Sequence, residues 1–145
     1  LYGNDPDRPN GHCQRGQRVW CSNRGQRGGC GRSFAIFLAE VLPRHTVRAS
    51  ALGSLPQGLL KGDSAKSVAG RLRLPYPLDT LYHVLHRLRA RLTDVRSLLS
   101  RERPAPASSQ TDPLLQTVEH LRRLFPESES LLVAFQLHFQ RPLLR

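Results

Sequence analysis

The residues best suited to metal chemistry are three cysteines and a histidine near the start of the chain. Cys13, Cys21 and Cys30 are the only cysteines in the sequence, and His12 precedes the first of them. Structural zinc requires four thiolate or imidazole ligands, usually supplied as two close-spaced pairs. Seven and eight residues separate successive cysteines here, so no close-spaced pair exists. Two interpretations therefore remain. In the first, the residues form an incomplete Zn²⁺ site, with ligands from His12, Cys13, Cys21 and Cys30, and in the second, the cysteines are free thiols.

A second group of candidate residues is carried by a predicted helix over residues 78–99. Its leucines and one valine recur at alternating steps of three and four, which places them on one face of the helix. The basic residues fall mostly off that face, namely His83, His86, Arg87, Arg89, Arg91 and Arg96. A shorter helix is predicted after Asp63 and Ser64, which are favourable N-cap types, and Pro75 and Pro77 prevent its continuation. Two helices joined by a short turn can lay the second helix in the DNA major groove.

Recognition helices contact base edges mainly with their N-terminal residues. We therefore predict base contacts from the beginning of the second helix, by Asp79, Thr80, Tyr82, His83 and Arg87. Arginine presents a planar fork that binds phosphate or guanine in a bidentate manner. We predict phosphate contacts from the arginines of the N-terminal segment, which are Arg15, Arg18, Arg24, Arg27 and Arg32.

The charge of the chain favours a polyanionic partner. The sequence has 22 lysine and arginine residues against 11 acidic residues, a formal charge of +11, and all the cations except Lys61 and Lys66 are arginine. A small domain with this excess of positive charge most often binds nucleic acid. No apolar run approaches the roughly 18 residues of a membrane span, and the polar N-terminus does not resemble a signal peptide. We therefore expect no membrane partner and a cytoplasmic, nucleoid-associated location.

The fold predicted from the sequence is mainly α-helical, with a small ribbon-like β hairpin at the N-terminus. Residues 1–43 form the ribbon-like segment, in which residues 17–21 are a predicted strand and residues 33–42 could be a strand or a helix. Residues 44–100 form the predicted helix-turn-helix domain, including a helix over residues 46–60 that is kinked or broken at Pro56. Residues 101–111 lack apolar periodicity and are predicted to be a linker.

Residues 112–145 are predicted to form a C-terminal helical hairpin. Asp112 and Pro113 are typical of an N-cap and a first helical residue, and Pro126 ends this helix. Glu127 and Glu129 are expected in the first turn of the last helix, where the helix dipole favours acidic residues.

The segment from Arg15 to Cys21, followed by Cys30-Gly31-Arg32-Ser33-Phe34, resembles the second half of the zinc ribbon that opens many bacterial insertion-sequence transposases. The resemblance implies that Cys21 and Cys30 are the second-knuckle zinc ligands. It also implies an earlier knuckle, which is missing here and which a truncation ahead of Leu1 would remove. The segment between Cys21 and Cys30 is longer than the two residues of the family pattern.

The resemblance continues through residues 63–91, because such transposases often follow the ribbon with a helix-turn-helix. Ser67-Val68-Ala69 and residues 72–74 are similar to the first helix and the turn. Residues 80–87 are similar to the start of the recognition helix.

Known catalytic patterns are missing from the sequence. Its acidic residues fall on predicted loops and helix caps rather than in a set that would converge on Mg²⁺. The sequence also lacks a glycine-rich phosphate loop and the common hydrolase motifs. We therefore expect a protein that is not an enzyme and has no small-molecule substrate.

These features together predict sequence-specific binding of double-stranded DNA by a transposase-like protein of a mobile element, without a catalytic domain of its own. One alternative is a basic RNA- or ribosome-associated zinc-ribbon protein, since arginine-rich loops also bind RNA. A second alternative is a helical interaction module, in which the stripe over residues 78–99 forms the seam of a homodimer and the C-terminal hairpin docks a partner.

Overall fold

β structure lies at the N-terminus of the chain and helices follow it. A computed structural model describes residues 1–8, 10–25, 28–45, 47–72 and 77–144. Within these residues, four short strands precede six α-helices. The predicted mainly α-helical class is confirmed, and so is the position of the β structure.

Two antiparallel hairpins make up the β structure. Strand β1 (Tyr2–Asn4) pairs with β2 (His12–Gln14), and β3 (Gly16–Trp20) pairs with β4 (Ser33–Phe37). The predicted strand over residues 17–21 is therefore confirmed to within one residue. The apolar run that begins at residue 33, for which periodicity left strand and helix open, starts as a strand.

The helices pack around one buried core. They are α1 (Ala49–Leu60), α2 (Ala65–Leu72), α3 (Leu78–Ala90), α4 (Leu92–Glu102), α5 (Pro113–Leu124) and α6 (Leu131–Phe139). Helix α1 packs against α2, α5 and α6, while α4 packs against α5. The core runs from Leu42 to Leu144 and so includes residues on both sides of the predicted linker. The domain boundaries stay a prediction, but the C-terminal helices share their core with the helices before them.

Helix starts follow the capping signals of the sequence at two places. The Ser64 hydroxyl accepts a hydrogen bond from the N–H of Ser67 at 3.2 Å, at the start of α2. The Asp112 carboxylate accepts one from the N–H of Leu114 at 2.8 Å, and Pro113 is the first residue of α5. Both starts were predicted from residue types alone, because capping depends on atoms only two or three residues apart.

The start of α6 differs from the prediction. Its N-cap is Ser130, whose hydroxyl accepts a hydrogen bond from the N–H of Val133. Glu127 and Glu129 precede the helix and do not lie in its first turn. Helix α1 also differs, because it begins at Ala49 and continues through Pro56 without a break.

The single helix predicted over residues 78–99 is two helices in the structure. It is interrupted at Arg91, which has a φ of −98° and a ψ of −3° and stands between α3 and α4. Helix α3 contacts α2, whereas α4 contacts α5. A bend at Arg91 allows each half to face its own neighbour, which the apolar spacing could not reveal because the spacing continues across the break.

The apolar stripe of α3 and α4 is buried within the chain itself. The buried members are Leu81, Val84, Leu85, Leu88, Leu92, Val95 and Leu99. These side chains belong to the same core as α1 and α5. The stripe is therefore used within the chain itself, which does not support it as the seam of a homodimer, and the interaction alternative stays a prediction.

Two glycines let other segments approach α1 closely. A Cβ atom added at Gly53 would lie 2.8 Å from the Ser130 hydroxyl oxygen, and one added at Gly58 would lie 2.5 Å from a methyl group of Val68. Val68 is the buried residue of α2, and Ser130 caps α6. The packing of both helices against α1 thus depends on the missing side chains.

We predict opposite effects for two glycine-to-alanine substitutions. Gly58→Ala should destabilise the protein by about 1–3 kcal/mol, because the new methyl group overlaps the fully packed Val68 side chain. Gly70→Ala should stabilise it by about 0.5–1 kcal/mol, because Gly70 lies inside α2 with open space around it. Urea denaturation of both variants measures the difference. Equal stability of the two variants would show that α1 and α2 are not in close contact.

Candidate nucleic-acid interface

Helix α3 separates its residues into a buried and an exposed face. Leu81, Val84, Leu85 and Leu88 face the core, while the opposite side carries polar, basic and aromatic residues. The exposed residues are Asp79, Tyr82, His83, His86, Arg87, Arg89 and Ala90. Most of these residues have another exposed residue three or four positions away, so they form one continuous face of the helix.

The residues predicted for base contact lie on this exposed face with one exception. Asp79, His83 and Arg87 are exposed, and the Tyr82 side chain is 52% exposed. Thr80 is half-buried. Helix α3 follows Pro77, which is its N-cap residue, and it contacts α2 as a helix-turn-helix pair would. The predicted turn at residues 73–76 lies outside the described residues.

Ion pairs engage some of the basic residues near this surface. Arg89 contacts the Asp112 carboxylate at 3.0 Å, which joins α3 to the start of α5. Burial would raise the pKa of that carboxyl, but the hydrogen bonds from the Leu114 N–H and the Arg89 guanidinium together hold the pKa below its ordinary value. Arg87 forms no ion pair with the residues that the structure describes. Arg87 is therefore a free cation of α3, and Arg89 is not.

Arg15 has a structural contact that the sequence did not reveal. Its guanidinium donates to the carbonyl oxygen of Leu42 at 3.1 Å and also to that of His45. The side chain thereby ties the N-terminal β structure to the segment that leads into α1. Both bonds come from its Nη2 atom, and the predicted phosphate contact of Arg15 stays a prediction.

The other predicted phosphate contacts have exposed side chains where the structure describes them. Arg18, Arg24 and Arg32 are exposed, and Arg18 donates to the Ser33 hydroxyl at 3.3 Å across the β3–β4 pair. Arg27 lies outside the described residues. The exposed arginines lie on β3 and around the loop between β3 and β4.

His45 lies in the segment that leads from the β structure into α1, and its backbone carbonyl accepts a hydrogen bond from Arg15. Burial lowers the pKa of its imidazole, and the positive charges of Arg87 and Arg15 lower it further. Its Nε2 atom is buried and has no hydrogen-bond partner among the described residues. The ring therefore favours the neutral form, and Arg87 and Arg15 belong to one positively charged region.

Cys21 and Cys30 lie close together at the loop end of the β3–β4 hairpin. The Cys30 N–H donates to the Cys21 sulfur at 3.3 Å, and the Gly31 N–H donates to the Cys21 carbonyl at 2.9 Å. Cys13 and His12 lie on β2, in the other hairpin.

The four predicted metal ligands do not form one cluster. In the part of the chain that the structure describes, no three His, Cys, Asp or Glu residues are placed to hold a metal ion. Structural zinc needs four ligands. The two thiols of Cys21 and Cys30 supply half of such a set, so the described residues do not fit a complete zinc site.

Several surface residues were not singled out from the sequence. Trp20 is 63% exposed on β3, and Arg44 and Arg141 are exposed beside the end of β4 and after α6. The spacing of apolar residues in so short a strand does not show whether its tryptophan is exposed or buried. Arg44 has a φ of 67°, a left-handed conformation that is unusual for a residue other than glycine.

Comparison of the chain with protein-family models, with curated proteins and with solved structures finds no match. Each helix within the described residues is too short or insufficiently apolar to cross a bilayer.

We predict that His45 makes the stability of the protein depend on pH. Because its pKa is lowered on folding from 6.5, the stabilising contribution is fully present above pH 6.5. It is lost as the pH falls through the lower pKa of the folded state, where protonation would place a charge beside Arg87 and Arg15. The melting temperature, measured from pH 8 to pH 5, should fall less steeply for His45→Gln than for the unchanged protein. Parallel curves for the two proteins would contradict this role.

Proposed function

We propose that this chain binds double-stranded DNA in a sequence-specific manner, as a transposase-like protein of a mobile element without a catalytic domain of its own. One observation carries the proposal: α3 buries its leucines and valine in the core and leaves Asp79, His83 and Arg87 on an unobstructed outer face. A helix of 13 residues with this arrangement has the length and the side chains to enter the major groove.

The charge of the protein supports the same proposal. Non-specific attraction to phosphates accounts for much of the affinity of DNA-binding proteins. The chain has a formal charge of +11, and exposed arginines occur on α3 and on the β3–β4 hairpin. In this proposal Arg87 contacts a base edge, while Arg18, Arg24 and Arg32 contact the backbone.

The β structure is joined to the segment that leads into α1. Arg15 holds the segment before α1, and the Arg87 guanidinium lies close enough to His45 to affect its pKa. The shared influence of Arg87 and Arg15 on His45 supports a second basic element near the proposed recognition helix. A duplex lying along α3 would therefore meet positive charge from both parts of the chain.

We predict that Arg87→Ala weakens binding to the preferred duplex by about 1–3 kcal/mol, roughly 5- to 150-fold, if Arg87 contacts a guanine. Selection from a random duplex library identifies the preferred site, and fluorescence anisotropy at fixed salt measures affinity. Arg122→Ala is the matched control, because Arg122 is an exposed arginine on α5, outside the proposed interface. Failure to enrich any duplex sequence, or equal losses for both variants, would contradict the proposal.

A second candidate is binding of single-stranded RNA by the β3–β4 hairpin. Arg18 and Trp20 are two residues apart on β3, so their side chains lie on the same face of the hairpin. Trp20 is 63% exposed, and an exposed aromatic ring beside a cation is what base stacking on single strands uses.

The two candidates make different predictions for Trp20→Ala. If the protein binds double-stranded DNA through α3, this variant should retain its affinity for the selected duplex to within about threefold. Loss of about 1–3 kcal/mol for a single-stranded RNA, with tighter binding of RNA than of the duplex, would favour the second candidate. Both affinities are measured on the same preparations, with Arg87→Ala as the reciprocal variant.

A further inference from the structure

An open groove of about 640 Å³ lies between β4 and the C-terminal end of α6. Its volume is in the range of ligand-binding sites, and its floor and walls are mostly apolar. Residues of β4 and the segment after it form one wall, and residues from the end of α6 to Pro142 form the other. Every residue of β4 is exposed, and the Leu137 side chain is 56% exposed although it is apolar.

The groove follows the free edge of β4. Five consecutive residues, 35–39, line it, and the first three belong to β4, where successive side chains point to opposite faces. A groove that contacts all three of these strand residues must therefore run along the edge of the strand. Among the described residues β4 pairs only with β3, so its other edge is unpaired.

The hydrogen bonds at both ends of the hairpin identify the backbone groups on that edge. The Cys21 N–H donates to the Arg32 carbonyl at 2.8 Å, and the Leu38 N–H donates to the Arg15 carbonyl at 3.0 Å. Hydrogen-bonded and non-hydrogen-bonded pairs alternate along an antiparallel ladder. The even-numbered residues of β4 thus bond to β3, while Ala35 and Phe37 direct their N–H and C=O groups to the free edge.

Gln136 lines the groove and joins α6 to the segment after β4. Its side chain is 9% exposed, and its Nε2 donates to the carbonyls of Ala39 at 2.6 Å and Val41 at 3.4 Å. These two carbonyls require the NH₂ end of the amide, which determines the orientation of the group. The Oε1 atom is buried and accepts no hydrogen bond within the described residues. The two bonds from Nε2 fix the segment after β4 against α6.

The polar rim of the groove is cationic. Arg44 and Arg141 line it, neither forms an ion pair with a described residue, and no described acidic residue lines the groove. A second copy of the chain would bring these arginines, and a net charge of +11, against themselves. Charge complementarity therefore favours an acidic occupant over a second copy.

We propose that this groove binds an extended, apolar and acidic segment of a partner protein, which adds to the free edge of β4 as a third strand. Main-chain hydrogen bonds to Ala35 and Phe37 give affinity, as in other cases of strand addition. Apolar side chains of the segment cover Phe37 and Leu137, and its carboxylates contact Arg44 and Arg141. This interaction is separate from the proposed DNA contact, which uses α3.

The test uses the full chain and fluorescein-labelled synthetic peptides of eight residues. One peptide alternates valine and glutamate, a second alternates valine and lysine, and a third is the first with alternate amides N-methylated. Fluorescence anisotropy should give at least about tenfold tighter binding of the first peptide than of the other two, because they lack the charge or the strand hydrogen bonds. Equal binding of the three peptides would overturn the proposal.

Two variants on the protein side examine the groove and the edge separately. Leu137→Glu introduces a negative charge into the groove at an exposed position. Because this charge repels the carboxylates of the glutamate peptide, binding of that peptide should weaken by about tenfold or more. Ala35→Pro removes the N–H that faces the free edge while leaving the bonds to β3, and should have a similar effect. Trp20 fluorescence and circular dichroism verify that the hairpin is intact in each variant.

Tyr82→Glu is the matched control, because Tyr82 is also an exposed apolar residue but lies on α3. It should leave peptide binding unchanged and weaken DNA binding, while Leu137→Glu should do the reverse. Loss of DNA binding and of peptide binding are thereby separate outcomes. Equal effects of Leu137→Glu and Tyr82→Glu on the peptide would overturn the proposal. Sedimentation showing a dimer that Leu137→Glu dissociates would also overturn it, in favour of a second copy as the occupant.

Discussion

The structure depends on the close packing of α1 against the helices around it. Gly53 and Gly58 present no side chain to the Ser130 hydroxyl and to Val68, and any larger residue would overlap these neighbours. Because α1 also contacts α5, it connects the segment before the predicted linker to the two helices after it. The core therefore forms as one unit from Leu42 to Leu144, rather than as two separate helical pairs.

This arrangement determines which surfaces are left for partners. The leucines of α3 and α4 are used within the core, so the outer face of α3 is polar and basic. The β3–β4 hairpin behaves differently, because β4 is exposed at every residue and has an unpaired edge. A basic helical face and an apolar strand edge are chemically distinct surfaces, which is why we assign them different partners.

Arg15 and Arg48 both join the β structure to the segment that leads into α1, since the Arg48 guanidinium pairs with the Asp7 carboxylate. Arg15 donates to two backbone carbonyls in the segment before α1, and Gly3 leaves room for the Arg15 side chain to pass. His45 supplies one of those carbonyls, and its ring lies near both Arg15 and Arg87. The pKa of His45 is consequently sensitive to the positions of Arg15, in the β structure, and Arg87, in α3.

The elements that were predicted correctly rest on short-range signals. The start of α2 at Ser64 and that of α5 at Asp112-Pro113 follow from capping, which involves neighbours only a few residues away. The buried and exposed faces of α3 follow from a regular spacing of leucines. The break at Arg91 and the strand character of residues 33–37 were not predictable in the same way. The first depends on which helices pack against each half, and the second depends on pairing with β3.

The sequence by itself determined the mainly α-helical class, the high positive charge and the exposed basic face of α3, since each depends on composition or local periodicity. Only the tertiary structure decided that Arg15 contacts the backbone carbonyls of Leu42 and His45, because these partners are 27 and 30 residues away. The same holds for the groove beside β4, whose walls come from residues 35–44 and 136–142. Contacts between such distant segments arise from the packing of α6 on α1, which no local pattern specifies.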